Sequence, residues 1–273
     1  MTDRTKDTYK EVSNQLLICK PDLDPKSIQI DFEQAFISVF KDIFPNAKIN
    51  GCFFHFCQCV WRKIQSLGLQ KMYSENSTFA LQVKQLCALA FVPVHDVVYA
   101  FEELIESEYY IENESLFQPI LNYFEDTWIG RPVRRKRRSP IFPLNIWNVY
   151  ENVLMKRPRT NNAVEGWHNA FNSSIGVHHT TIWKFINFIK TEQNLVEAKI
   201  EKINLGESHA LKRKKYKDLD QRLENVMSSG SLAHERFRDK YRMVNDCVSE
   251  TNLPVLPTCH IELSANLSDA PLH

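Results

Sequence analysis

The chain has 273 residues, long enough to bury a substantial core as one large domain or two small ones. A hydrophobic fraction of 43% and a charged fraction of 25% place it among ordinary soluble globular chains and exclude a low-complexity or fibrous protein. The net charge of +1 excludes nucleic-acid binding through overall charge, so any such role must rest on local clusters of basic residues.

The first residues, MTDRTKDTYKEV, are polar and contain no apolar core of a secretory signal. No run reaches the roughly 18 apolar residues that a membrane-spanning helix needs. Seven glycines argue for a helix-heavy architecture over a loop-rich β fold. Seven cysteines, an odd number, are expected as reduced thiols in the cytosol or nucleus.

In chain order, Tyr9, Val12, Leu16 and Leu17 recur at helical spacing within Thr5 to Cys19. Pro21 and Pro25 then bracket a turn. Residues 27–31, SIQID, alternate like a short strand that ends on a carboxylate. Phe32, Ala35, Phe36, Val39, Phe40 and Ile43 form a helical stripe closed by Pro45. Residues 47–54, AKINGCFF, read as a second strand, and a helix follows from His55 to Leu67, stopped by Gly68. From Asn76 to Trp128 the pattern is helical throughout, with helices over Phe79 to Ala90, Val94 to Glu106 and Leu116 to Trp128.

Residues 129–143 hold three prolines and a basic run, and read as a mobile loop. Trp147 to Leu154 fits either a short strand or a helix. Thr160-Asn161-Asn162 is a helix-start signature, opening a helix that carries Glu165, Trp167, His168 and Phe171. Thr181 to Ile203 is a long amphipathic helix, followed by Leu211 to Val226 and Leu232 to Val244. The tail after Cys247 has weak periodicity and three prolines, and is expected to be disordered. There is no internal repeat.

Four groups of residues carry possible chemistry. Asp31, at the carboxyl end of a strand, would sit where ligands reach open α/β sheets, although an aspartate there also caps helices. Glu165 lies in the first turn of a helix, which the helix dipole favours with or without a further role. Cys52, His55, Cys57 and Cys59 crowd one strand-to-helix junction. A zinc site needs four converging ligands, commonly as two separated pairs, so buried free thiols beside a functional histidine fit this spacing better than zinc. The basic runs Arg134, Arg135, Lys136, Arg137, Arg138 and Lys212, Arg213, Lys214, Lys215 suit DNA phosphates, a nuclear localisation signal or a solvated surface.

Taken together, Asp31-Phe32-Glu33 with Ala35, then Gly51-Cys52-Phe53-Phe54-His55 with Gln58, Arg62 and Gln65, then Thr160 to His168 resemble the Mutator-like (MULE) transposase domain. The resemblance covers about residues 1–190, and its specificity lies in the order of three motifs that are each weak alone. It implies an α/β, helix-rich fold: an N-terminally truncated RNase H-like core over residues 1–195 with a large helical insertion over about 70–145. C-terminal helices over 196–247 and a tail over 248–273 would follow. It also implies metal-dependent DNA cleavage and strand transfer, in which carboxylates hold two Mg²⁺ or Mn²⁺ ions about 4 Å apart.

Carried across, Asp31 matches the second catalytic aspartate and Glu165 the final glutamate, both as metal ligands. Cys52 and His55 match the motif beside the site, and His168 closes the last motif. The family's first catalytic aspartate lies on an earlier strand, so this chain is expected to lack it and to be inactive. The implied setting is the nucleus, with transposon terminal-repeat DNA as partner, a possible homo-oligomer and no membrane. The alternative is a non-catalytic, domesticated DNA-binding or protein-interaction module; an all-helical scaffold without a nucleic-acid role is a third reading.

Overall fold

The computed structural model describes residues 3–134, 136–175, 181–207 and 214–228. The expected helix over Leu232 to Val244 and the tail lie outside them. The fold is helix-rich α/β.

Helix α1 (Lys6–Cys19) starts where the Thr5 hydroxyl accepts a hydrogen bond from the Thr8 N–H. Strand β1 (Ser27–Ile30), helix α2 (Gln34–Ile43) and strand β2 (Lys48–Gly51) form a crossover unit, because β1 and β2 pair in parallel from Ser27↔Lys48 to Ile30↔Gly51. A parallel pair needs such a crossover, and α2 with its apolar stripe supplies it. Helix α1 packs on α2 through Tyr9, whose ring meets Phe36 edge-on at 5.3 Å and whose hydroxyl donates to Glu33 at 2.7 Å.

The second strand is shorter than its sequence suggests, and α3 (Phe53–Ser66) begins two residues before His55. The reason is tertiary. The Cys52 N–H donates to Ile30 of β1 and the Phe53 N–H donates to the Arg159 carbonyl, so strand pairing ends and the helix starts across one peptide. Gly51 permits this junction: a Cβ there would lie 2.4 Å from the Phe32 ring.

The helical block contains α4 (Gln70–Glu75), α5 (Ser77–Ala88), α6 (Val97–Ile105), α7 (Glu108–Glu112) and α8 (Glu114–Phe124). Helices α4 and α7 are too short for periodicity to register. Helix α8 continues into a widened turn over Glu125–Ile129, closed when the Gly130 N–H donates to the Glu125 carbonyl at 2.6 Å. Residues 129–143 differ from the loop expected. They contain a small antiparallel hairpin, β3 (Pro132–Val133) with β4 (Lys136–Arg137).

Trp147 to Leu154 resolves into helices, α9 (Leu144–Trp147) and α10 (Tyr150–Leu154). Helices α11 (Asn162–Ile175), α12 (Ile182–Asn204) and α13 (Lys214–Ser228) follow. The core sits between α3, α5, α6 and α8, and is aromatic at its centre: Phe56, Phe101, Phe117, Phe124, Trp128 and Trp147 are all fully buried. Among the described residues no helix is long and apolar enough to cross a membrane.

Candidate functional site

The two strands point their carboxyl ends the same way, so whatever follows β1 and β2 gathers at one edge of the sheet. Asp31 follows β1, and Cys52 and His55 follow β2 at the start of α3. Asp31 does not cap α2. Glu33 occupies the cap position, with no side-chain bond to the helix.

The third contribution comes from far along the chain. The Arg159 carbonyl is held by Phe53, and the Arg159 guanidinium donates to Asp220 of α13 at 2.6 Å. Thus anchored, the chain delivers Asn161 and Glu165 to the same edge. The Asn161 amide donates to Asp31 Oδ1 at 3.1 Å, while its side-chain carbonyl accepts from the Cys52 thiol at 3.0 Å. His55 lies between the two acids. Its Nδ1 is 2.9 Å from Asp31 Oδ1, and its Nε2 is 3.7 Å from Glu165 Oε1.

Asp31 is the most open of the three, while the His55 side chain is only 20% exposed. Burial works against a charged imidazole, but the contacts with Asp31 and Cys52 outweigh it and push the His55 pKa up to about 10. The ring is therefore an imidazolium at neutral pH, placed where a cation would otherwise balance two carboxylates. The folded-state value lies above the ordinary 6.5. The stabilisation is thus fully present below pH 6.5 and lost as pH rises through about 10. An NMR titration is expected to find His55 protonated past pH 8, and Asp31→Asn to bring its midpoint down toward the ordinary range. An unshifted midpoint in Asp31→Asn would remove Asp31 as the cause.

The other cysteines do not join this site. Cys57 is buried, its thiol pushed well above the usual range by burial and by the neighbouring Cys87 thiol. Cys59 is pushed up to about 11 by burial, partly offset by Arg62 one turn further along α3. Among the described residues no group of three or more His, Cys, Asp or Glu side chains is arranged to hold a metal ion. The donors at Asp31 and Glu165 fit a protonated imidazole between them. As ligands they could offer a divalent ion two carboxylates, with water completing its shell.

His168 is exposed on α11, its ring beside that of Trp167. Of the first basic run, Arg134, Lys136 and Arg138 are exposed. Arg137 turns inward instead, donating to Glu102 at 2.6 Å, Glu125 at 3.2 Å and the Gly130 carbonyl at 2.6 Å. Arg138 and Arg131 both pair with Asp126. Arg135, Lys212 and Arg213 lie outside the described residues, and Lys214 is exposed at the start of α13. The side chain of Lys215 also lies outside the described part.

Asn161 is the site residue that sequence reasoning missed. Its type and position read as a helix cap, and only the folded chain turns its amide toward Asp31 and Cys52. In comparisons with known proteins, no family model, no curated protein and no solved structure matches this chain.

Proposed function

We propose that this chain is a domain of Mutator-like DDE transposase descent that binds DNA without cutting it. The observation that carries the reading is the meeting of Asp31 and Glu165, 134 positions apart, on either side of His55 at the carboxyl edge of a parallel strand pair. Those are the two acids that the resemblance assigns as metal ligands, and a β1–α2–β2 crossover is compatible with part of an RNase H-like core. In an active member of such a family, two divalent ions activate the attacking oxygen and stabilise the leaving one. Here one positive charge on His55 stands between the two acids and offsets part of theirs, and in this reading the edge serves charge balance and not cleavage.

DNA contact falls to the exposed basic side chains Arg134, Lys136 and Arg138 on and beside the hairpin, and to Lys214. This is a domesticated or relict DNA-binding module, acting in the nucleus. The test uses the full chain with a mixed-sequence duplex and with a duplex carrying terminal inverted repeats. Affinity is expected to fall steeply with salt, with a log–log slope of about −0.9 per phosphate contacted, and to be indifferent to Mg²⁺. Absence of binding at low salt would sink the DNA reading. Cleavage in Mg²⁺ or Mn²⁺ that disappears in Asp31→Asn and Glu165→Gln would show that the site still cuts.

A further inference from the structure

Helix α12 spans 23 residues, about 34 Å of rod, yet it has no buried residue. One side faces α11: Phe185 and Phe188 meet Phe171, and Glu192 accepts from the Trp167 indole at 3.1 Å. A second side carries Ile182, Ile186, Ile189, Gln193, Val196, Ile200 and Ile203. Their separations run 4, 3, 4, 3, 4, 3, which is a heptad repeat in its two core positions over three heptads. Six of the seven are β-branched apolar residues. Ile182, Ile189, Val196, Ile200 and Ile203 are between 42% and 63% exposed. A surface helix normally turns its apolar stripe to the core, and this one turns it to solvent.

We propose that two copies of this chain pair through this stripe as an antiparallel coiled coil. This goes beyond the DNA-binding reading and does not rest on it. A seam continuous over three heptads is self-complementary, which is what a two-fold interface requires. The single polar core position, Gln193, lies at the middle of the seam, where a polar side chain restricts register at a cost in stability. Its amide nitrogen donates to Glu197 at 2.8 Å.

The flanking charges choose the orientation. In a parallel pair, Glu192 of one helix would face Glu197 of the other, a like-charge contact made twice. In an antiparallel pair the flank carrying Lys190 and Glu197 meets its own copy, so Lys190 faces Glu197 of the other copy, and the symmetry makes that attraction twice. Opposite charges at these flanking positions set partner and orientation in coiled coils.

The full chain is expected to sediment as a dimer at micromolar concentration. The exposed-site double variant Ile189→Glu/Val196→Glu should halve the mass while its circular dichroism stays unchanged. Lys190→Glu should weaken the dimer about tenfold, and Lys190→Glu/Glu197→Lys should restore it. A monomeric wild type overturns the proposal, including the case in which another part of the same chain covers the stripe. A dimer that survives Ile189→Glu/Val196→Glu overturns it too. A dimer indifferent to Lys190→Glu overturns the antiparallel pairing.

Discussion

Replacing Phe56 with alanine is expected to cost about 3–5 kcal/mol, the range for truncating a fully buried aromatic ring. Phe56 is fully buried on α3. Its ring stacks on Trp147 at 4.9 Å with an interplanar angle of 12°, and meets Trp128 edge-on at 4.8 Å. Phe32, Phe53 and Phe124 approach within 6.2–6.3 Å. Truncation loses the transfer term, leaves a void among rigid rings that collapse poorly, and forfeits ring-pair geometry worth about 0.5–1.5 kcal/mol per pair. Against a typical domain stability of about 5–15 kcal/mol, that is enough to populate unfolded chains. Urea unfolding measures it. Phe56→Leu, closer in volume, should cost much less, and a loss below about 1 kcal/mol for alanine would mean that the cluster is not the centre of the core. Because His55 precedes Phe56 on α3, the alanine variant should also disturb the site.

The second large effect concerns a residue that the sequence offers as a possible DNA contact. Arg137→Ala is expected to destabilise the fold by about 3 kcal/mol, because it strands an acid that is out of water. Arg137 and Glu125 are each only 17% exposed at their side chains, and the guanidinium also serves Glu102 and the Gly130 carbonyl. Its guanidinium carbon lies 5.9 Å from the Phe101 ring centroid. Lys136→Ala, one position away and exposed, should leave stability within about 0.5 kcal/mol while weakening DNA binding. Thermal unfolding and a binding titration of both variants separate the roles. If Arg137→Ala unfolds like the wild type and loses only DNA affinity, the ion-pair account fails.

What the sequence made legible follows from range. Helices α1, α2, α5, α6 and α12 show in periodicity because each buries or presents one stripe, and Asp31 shows because it closes a short alternating run. The start of α3 was hidden because Cys52 offers no side-chain cap: the N–H of Phe53 finds its acceptor at Arg159, more than a hundred residues away. The break between α9 and α10 was hidden for a related reason. Asn148 donates to the Val92 carbonyl at 2.6 Å and accepts from the Tyr150 N–H at 3.0 Å, a local bond and a distant one that together interrupt a helix. At the candidate site the acids and the histidine were readable as residues. Their common meeting point was not, since Asn161 and Arg159 place it through contacts that no spacing reveals.

The free thiols give this molecule an internal clock. Cys19 is exposed, whereas Cys52 is buried at the site edge, and Cys57 and Cys87 are buried as neighbours between α3 and the end of α5. A thiol reagent should therefore label Cys19 at once. It should reach the other three only as fast as their surroundings open, so that mass spectrometry of labelled peptides reads the opening of the site edge and of the core separately. Should Cys52 react ahead of Cys57 and Cys87, the edge formed by Asp31, His55 and Asn161 breathes while the aromatic centre stays shut. In that case the site and the core are separate units of motion despite sharing a single helix.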